Sequence, residues 1–232
     1  MKSFVGFLLL LLGSVALRAQ TPTPDDSETF SCSYFGATRY DKGPCEVHSF
    51  RSNAHAEQVI DNILKHAGMG YGPRKFLAVE CPNVDNCYAT RIKGVQYIVY
   101  DNRFLKQVEG WTRTDWAAIS IIAHEIAHHL YGHTADRMGS RPDNEKQADY
   151  FSGFVLHNLG ASLAEAQTAI RTLTNDQPSA THPPRTIRLN VIENGWRDAE
   201  TIYPRNGRQA TNQLTNVDKR GDSGDNVDKS ER

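Results

Sequence analysis

Two histidines spaced four residues apart, in the stretch H-E-I-A-H at positions 124–128, constrain this chain more than any other feature. On an α-helix, residues four apart lie on the same face, so His124 and His128 can reach one metal ion. The surrounding sequence predicts such a helix, because the range 115–131 contains no Gly or Pro and its apolar residues recur at helical spacing. Thr114 can cap the start of this helix, and Gly132 follows its end.

Glu125 lies between the two histidines and would project beside the bound metal. Zinc in a hydrolytic site takes three protein ligands and leaves a fourth position open to water, and it lowers the pKa of that water from ~15.7 towards ~7. A carboxylate beside the metal can take the proton of this water. The pattern therefore predicts zinc-dependent hydrolysis, with His124 and His128 as ligands and Glu125 as the general base.

The third ligand must come from outside this stretch. A metzincin site would need Gly three residues after His128 and His six residues after it, and the chain has Tyr and Thr there. A carboxylate on the next helix is the other common solution, and Glu145 is the best candidate. Asp149 lies one turn further on the same face and can accept the N–H of a ligating imidazole. Asp136 and Asp143 remain rivals, and a solvated helix face is the alternative reading of Glu145 and Asp149.

Length and charge limit the class of protein. The 232 residues have room for one domain with a sizeable core. The formal net charge is −1, and Lys and Arg are spread along the chain, so the sequence shows no basic footprint for nucleic acid. We expect a polypeptide substrate and no nucleic-acid partner.

The N-terminus has the pattern of a signal peptide. Lys2 provides a positive start, the apolar run covers 4–17, and L-R-A at 17–19 precedes Gln20 as a cleavage site. We predict that residues 1–19 are removed and that the mature protein is exported to a periplasm or outside the cell, without stable membrane insertion. An uncleaved anchor is the alternative, although the run is shorter than the ~20 residues that cross a bilayer comfortably.

Four cysteines fit an oxidising compartment: Cys32, Cys45, Cys81 and Cys87. An even number in an exported chain predicts two disulfides, for which three pairings exist. We favour Cys32–Cys45 and Cys81–Cys87, because each pair closes a short loop rich in Gly, Pro or Asn. A four-cysteine zinc site is disfavoured, because no C-x-x-C spacing is present.

The predicted elements describe an α+β, mainly helical domain with a small sheet beside the metal-binding helix. Helices are expected at 53–66, 115–131, 143–159, from the capping box at Ser162 to about 173, and from Pro183 or Pro184 to just before Gly195; strands are expected at 76–79, 88–92 and 95–100. Residues 20–30 form a linker, 31–203 the metalloprotease domain, and 204–232 a polar tail too poor in apolar residues to order itself.

Between about residues 86 and 189 the chain resembles gluzincin metallopeptidases of the CAAX prenyl protease and HtpX heat-shock protease type, peptidase family M48. Four elements occur in the family's order: N-C-Y-A at 86–89 for N-A-x-A, H-E-I-A-H-H-L-Y-G-H at 124–133 for H-E-x-A-H-x-x-x-x-H, E-K-Q-A-D at 145–149 for E-x-x-A-D, and H-P-P-R-T-I-R at 182–188 for H-P-P-x-x-x-R. The resemblance implies a zincin-like fold, endopeptidase activity and Glu145 as the third zinc ligand. Cys87 departs from the family's Ala.

The resemblance also implies roles for residues around the metal. Substrate would lie along an edge strand formed by Asn86, Tyr88 and Ala89. His182 could stabilise the oxyanion, occupy the open zinc position in a resting enzyme, or simply begin a helix. Arg188 could stabilise the oxyanion or pair with a carboxylate. His133 is interpreted as structural or as a support for a metal ligand.

Two other functions remain open from the sequence. A non-hydrolytic, zinc-containing chaperone or protein-binding module would use the same metal residues without cleavage. A latent protease closed by His182 would show low activity that rises when this histidine is replaced.

Overall fold

The computed structural model describes residues 54–70, 76–92, 94–135 and 140–205. The predicted signal peptide, linker and polar tail, together with Cys32 and Cys45, lie outside this part of the chain. The described helices are α1 Ala54–His66, α2 Asn102–Thr112, α3 Trp116–Leu130, α4 Pro142–Leu159, α5 Leu163–Ala166, α6 Thr168–Leu173 and α7 Arg185–Ile202. The described strands are β1 Phe76–Glu80, β2 Cys87–Ile92 and β3 Val95–Tyr100. The mainly helical α+β class predicted from the sequence is confirmed.

β3 lies in the middle of the three-stranded sheet, whose order is β1-β3-β2. It pairs antiparallel with β2 and parallel with β1. The β2–β3 turn contains Gly94 at φ +81°, a left-handed conformation that glycine adopts without steric cost. Among the described strands, β2 has no partner on its other side and forms an edge of the sheet.

This strand order rules out the predicted disulfide between Cys81 and Cys87. Cys81 follows β1 and its N–H donates to the Tyr100 carbonyl at 2.8 Å, whereas Cys87 pairs with Tyr100 from β2. Strands are spaced about 4.8 Å apart, so two spacings exceed the ~7 Å between Cα atoms that a disulfide can span. Cys87 is a buried free thiol and Cys81 is disulfide-bonded. The remaining cysteines, Cys32 and Cys45, lie outside the described residues.

α3 is the central element, and nearly all of its residues are buried. It packs against β2 and β3 on the sheet side and against α4, α2 and α6 on the helical side. His129 links it to the sheet, since its Nε2–H donates to the Tyr97 carbonyl at 2.9 Å while Nδ1 lies 3.0 Å from Thr134 Oγ1. Burial lowers the pKa of His129 to about 4, so the ring is neutral at physiological pH. An all-round contact surface explains why the sequence of this helix is apolar on every face.

α4 and α7 approach closely at two glycines. A Cβ on Gly153 would lie 2.1 Å from the Ile192 carbonyl oxygen, and one on Gly195 would lie 2.0 Å from the Tyr150 carbonyl oxygen. The prediction that the last helix ends before Gly195 is wrong, because this glycine is a helix–helix contact and α7 continues to Ile202. The close contact brings the first turns of α7 over α4.

Two local features differ from the sequence prediction. α2 was not predicted; Asp101 caps it by accepting a hydrogen bond from the Arg103 N–H at 2.9 Å. The helix after the Ser162–Glu165 capping box is interrupted at Gln167, which divides it into α5 and α6. No described helix has the length and apolar composition needed to span a bilayer.

Candidate metal centre

Three side chains that the sequence singled out converge between α3 and α4. His124, His128 and Glu145 each present one ligand atom, and these atoms lie within 4.8 Å of one another. The two Nε2 atoms are 3.1 Å apart, and Glu145 oxygens lie 3.1 Å from His124 Nε2 and 3.7 Å from His128 Nε2. All three residues are completely buried. Of the rival carboxylates, Asp143 is exposed and pairs with Lys146, and Asp136 lies outside the described residues.

Asp149 holds His124 from behind. Its Oδ1 lies 2.9 Å from His124 Nδ1, and a carboxylate can only accept, so Nδ1 carries the proton and Nε2 faces the cluster. Arg188 fixes this carboxylate through two hydrogen bonds, from Nε at 2.7 Å and from Nη2 at 2.8 Å. Arg188 is buried and its guanidinium also lies 3.9 Å from Glu145. Of the two roles considered for Arg188, the structure shows the ion pair with a carboxylate.

His128 is supported by a second histidine and an amide side chain. Its Nδ1 lies 3.0 Å from His133 Nδ1, and His133 Nε2 lies 3.2 Å from Gln147 Oε1. Sequence reasoning singled out His133 but not Gln147, which stands between Glu145 and Asp149 in the E-K-Q-A-D stretch. Ser140 was also missed; its hydroxyl donates to Glu145 Oε1.

The Glu125 side chain points towards β2, and not towards the side chains that support the three candidate ligands. Its Oε2 accepts a hydrogen bond from the Ala89 N–H of β2 at 2.9 Å. Its Oε1 is buried and has no hydrogen-bond partner among the described residues. Burial raises the pKa of Glu125 to about 8, although the nearby His124 opposes this shift. Oε1 is therefore the oxygen of Glu125 that remains open for a proton, because Oε2 is held by the Ala89 N–H.

The ligand cluster holds charge even without a cation. Burial lowers the pKa of His124, but hydrogen bonds to Asp149 and Glu145 raise it more, to about 9. Burial would raise the pKa of Glu145, yet the hydrogen bond from His124 and the neighbouring imidazoles hold it well below its usual range. Burial keeps the pKa of His128 well below its usual value. A divalent cation that binds here would take the place of the His124 proton.

His182 reaches the cluster from the segment before α7. Its Nε2 lies 3.4 Å from Glu145 Oε2, and its Nδ1 lies 2.7 Å from Thr181 Oγ1. The segment is tied to the start of α7 by Asp176, which accepts hydrogen bonds from Arg185 and Thr186. His182 therefore faces the ligand set, which a helix-start contact alone does not explain.

The predicted substrate residues separate into two groups. Ala89 lies at the centre, beside Glu125. Asn86 is buried and its carbonyl accepts from the Asp101 N–H at 2.9 Å, and Tyr88 packs with Cys81 and Val99 on the other face of the sheet. Strand alternation explains the difference, because neighbouring side chains point to opposite faces.

Comparison with known proteins gives one family. The model of peptidase family M48 matches residues 51–142, which include the two histidines and Glu125 but end before Glu145. No curated protein matches the chain. The geometry thus adds Glu145 to a ligand pair that the family match already contains. The match over residues 51–142 and the three converging side chains together support a metallopeptidase of the M48 kind.

Proposed function

We propose that this chain is a zinc-dependent endopeptidase that hydrolyses peptide bonds of exported or unfolded proteins. The observation that carries the proposal is the convergence of His124, His128 and Glu145 beside a carboxylate that keeps one buried oxygen without a partner among the described residues. Two imidazole nitrogens and one carboxylate oxygen are the donor set of gluzincin-type catalytic zinc sites, which leave a fourth position open.

The chemistry divides between the metal and Glu125. His124, His128 and Glu145 would hold the zinc, which would supply the Lewis acidity that acidifies a water and polarises a carbonyl. Glu125 Oε1 accepts the proton of the attacking water, and the same carboxyl group then donates it to the leaving amine. The Ala89 N–H holds the second oxygen of Glu125, so the carboxyl plane is fixed while the proton moves.

The substrate is proposed to lie extended along the open edge of β2. An edge strand presents unpaired backbone groups, and main-chain hydrogen bonds recognise a peptide with little dependence on its sequence. Ala89 marks the point at which this edge passes Glu125. Such recognition requires an extended chain and therefore favours unfolded segments as substrates.

His182 and Arg188 take different parts in this proposal. His182 faces Glu145 at 3.4 Å and is placed either to stabilise the oxyanion or to close the centre in a resting enzyme. Arg188 acts through Asp149 and thereby orients His124. A resting enzyme closed by His182 predicts higher basal hydrolysis in His182→Ala, and a role in oxyanion stabilisation predicts lower hydrolysis.

The test replaces Glu125 with Gln in the purified chain. Zinc content should remain at one per chain while hydrolysis of unfolded casein falls to the background of the chelator-treated protein. Zinc added back should restore hydrolysis to the chelated wild type only. Cleavage at the wild-type rate by Glu125→Gln would show that Glu125 is not the general base. Suppressed aggregation of casein without any cleavage, in wild type and variant alike, would instead support a non-hydrolytic binding module.

Export is a separate proposal that rests on the N-terminal sequence. Expression in a bacterial host with fractionation should yield a protein whose N-terminus is Gln20, in the periplasm or the medium. A chain that retains residues 1–19 in the membrane fraction would favour the uncleaved anchor.

A further inference from the structure

The imidazole of His128 is held on the side away from the ligand cluster by a line of two side chains. His128 Nδ1 lies 3.0 Å from His133 Nδ1, and His133 Nε2 lies 3.2 Å from Gln147 Oε1. His128 is completely buried and His133 is 5% exposed, whereas Gln147 is exposed. The line thus runs from the metal centre to the surface of α4.

The number of protons on each ring fixes which group donates and which accepts in these two hydrogen bonds. A hydrogen bond between two Nδ1 atoms requires a proton on one ring and a lone pair on the other. Gln147 Oε1 can only accept, so His133 Nε2 carries a proton, and a His133 ring with one proton then presents a lone pair at Nδ1. His128 Nδ1–H therefore donates to it. The Nε2 of His128, which faces Glu145 and His124, keeps its lone pair for a metal.

The opposite direction would disable the ligand. The orientation of a side-chain amide follows from the hydrogen-bond network around it. If Gln147 donated through its amide nitrogen, His133 Nδ1 would carry the proton and His128 would accept it. Neutral His128 would then carry a hydrogen on Nε2, and a protonated ring nitrogen cannot bind a metal. The direction of these two hydrogen bonds therefore decides whether His128 Nε2 can bind a metal.

We propose that His133 and Gln147 are positioning residues, which hold His128 in the tautomer and ring orientation that bind the metal. This inference rests on the proposed zinc site. It gives the two ligand histidines different supports: Asp149 and Arg188 orient His124 through a carboxylate, and His133 and Gln147 orient His128 through an imidazole nitrogen. Residues that support a ligand in this way typically affect metal affinity by about 10–100-fold.

The sharpest test uses position 147, because an exposed side chain can be changed without disturbing the core. Glu can only accept a hydrogen bond and Lys can only donate one. We expect Gln147→Glu to keep wild-type affinity for Zn²⁺, measured by competition with a chelator on the full chain, and Gln147→Lys to lower it about 10-fold. Lys146→Gln and Asp143→Asn change the charge of the same helix turn by equal amounts without touching the line. They serve as the matched controls.

Position 133 provides a second measurement. His133→Phe keeps a ring but removes the acceptor, whereas His133→Asn keeps an acceptor. We expect about 10–100-fold weaker Zn²⁺ binding for Phe and partial recovery for Asn, with similar melting temperatures of the metal-free proteins. If His133→Phe does not fold, the Gln147 series decides.

Each outcome has one meaning. Affinities of Gln147→Lys and Gln147→Glu that equal those of their charge controls would overturn the positioning role. A wild-type chain that binds no Zn²⁺ would overturn the proposed zinc enzyme, and this inference with it. Weaker Zn²⁺ binding that is confined to Gln147→Lys and His133→Phe would support the positioning role of His133 and Gln147.

Discussion

The two sides of the metal centre are built on opposite principles. The helical side, made of the three ligands with Asp149 and Arg188, is a buried network in which each charge meets an opposite charge or a hydrogen bond. The strand side, made of Glu125 and Ala89, is joined by one backbone hydrogen bond and leaves Glu125 Oε1 open. Holding a metal requires satisfied partners, because unpaired buried charge is costly. Moving a proton requires an acceptor that is not yet occupied.

The comparison predicts that variants of the helical side lose metal, and that variants of the strand side lose rate alone. The largest effect is expected for Glu145→Ala, which removes a ligand. Zn²⁺ affinity should fall more than about 100-fold, beyond the usual effect of a residue that only supports a ligand, and hydrolysis should disappear. Asp143→Asn, in the same turn of α4 but exposed, is the control and should bind normally. Tight binding by Glu145→Ala would exclude this carboxylate from the ligand set.

Asp149→Asn should have the next largest effect. It keeps the size of the side chain but removes the charge of the carboxylate that accepts two hydrogen bonds from the buried Arg188, and it weakens the hold on His124. We expect Zn²⁺ affinity to fall about 10–100-fold and the hydrolysis rate at saturating zinc to change less. The chelator competition and a zinc-saturated rate assay separate these quantities. Unchanged affinity would show that charge behind His124 is dispensable.

Gly195→Ala tests whether the helical side depends on the close contact of α4 and α7. The added Cβ would lie 2.0 Å from the Tyr150 carbonyl oxygen, so α7 must move. We expect the free energy of unfolding to fall by about 1–3 kcal/mol, measured by urea denaturation. Gly110→Ala in α2 is the matched control, because nothing lies within 4 Å of its added Cβ. It should stabilise the protein by about 0.5–1 kcal/mol. Equal stability of the two variants would contradict the packing explanation.

Ala89→Pro probes the strand side and should have the smallest effect. Proline removes the N–H that donates a hydrogen bond to Glu125. β2 should keep its pairing with β3, because this N–H points away from β3. We expect kcat to fall about 10-fold, which corresponds to the lower end of the about 1.5–3 kcal/mol for a hydrogen bond to a charged group, and Zn²⁺ affinity to stay unchanged. Arg91→Pro places the same strain on the same edge and is the reference. A loss of metal in Ala89→Pro would show that the strand side also supports metal binding, and would contradict the separation of the two sides.

Local sequence patterns predicted the elements that form the centre. The bounds of α3 and α4 were predicted within one residue, because long apolar periodicity and end signals are local properties. The placement of Asp149 behind His124 also follows from helical spacing, since residues four apart share a face. The Ser162 capping box was confirmed for the same reason.

Errors came from contacts between distant residues. Gly195 has the local character of a helix end, and only its contact with Tyr150 explains why α7 continues. The cysteine pairing was wrong because β1 pairs with β3, so a strand separates Cys81 from Cys87. α2 is short, and its signals were the helical spacing of Phe104, Leu105 and Val108 together with the cap at Asp101.

The ligand set also has a consequence for the order of assembly. All three ligands lie within residues 124–145, on two consecutive helices, whereas Arg188 is 39 residues from the carboxylate it pairs with. Contacts between nearby segments have smaller loop-closure entropy and form earlier. We expect a nascent chain to bring α3 and α4 together before Arg188 reaches Asp149, and a metal bound at that stage would favour the later packing of α7.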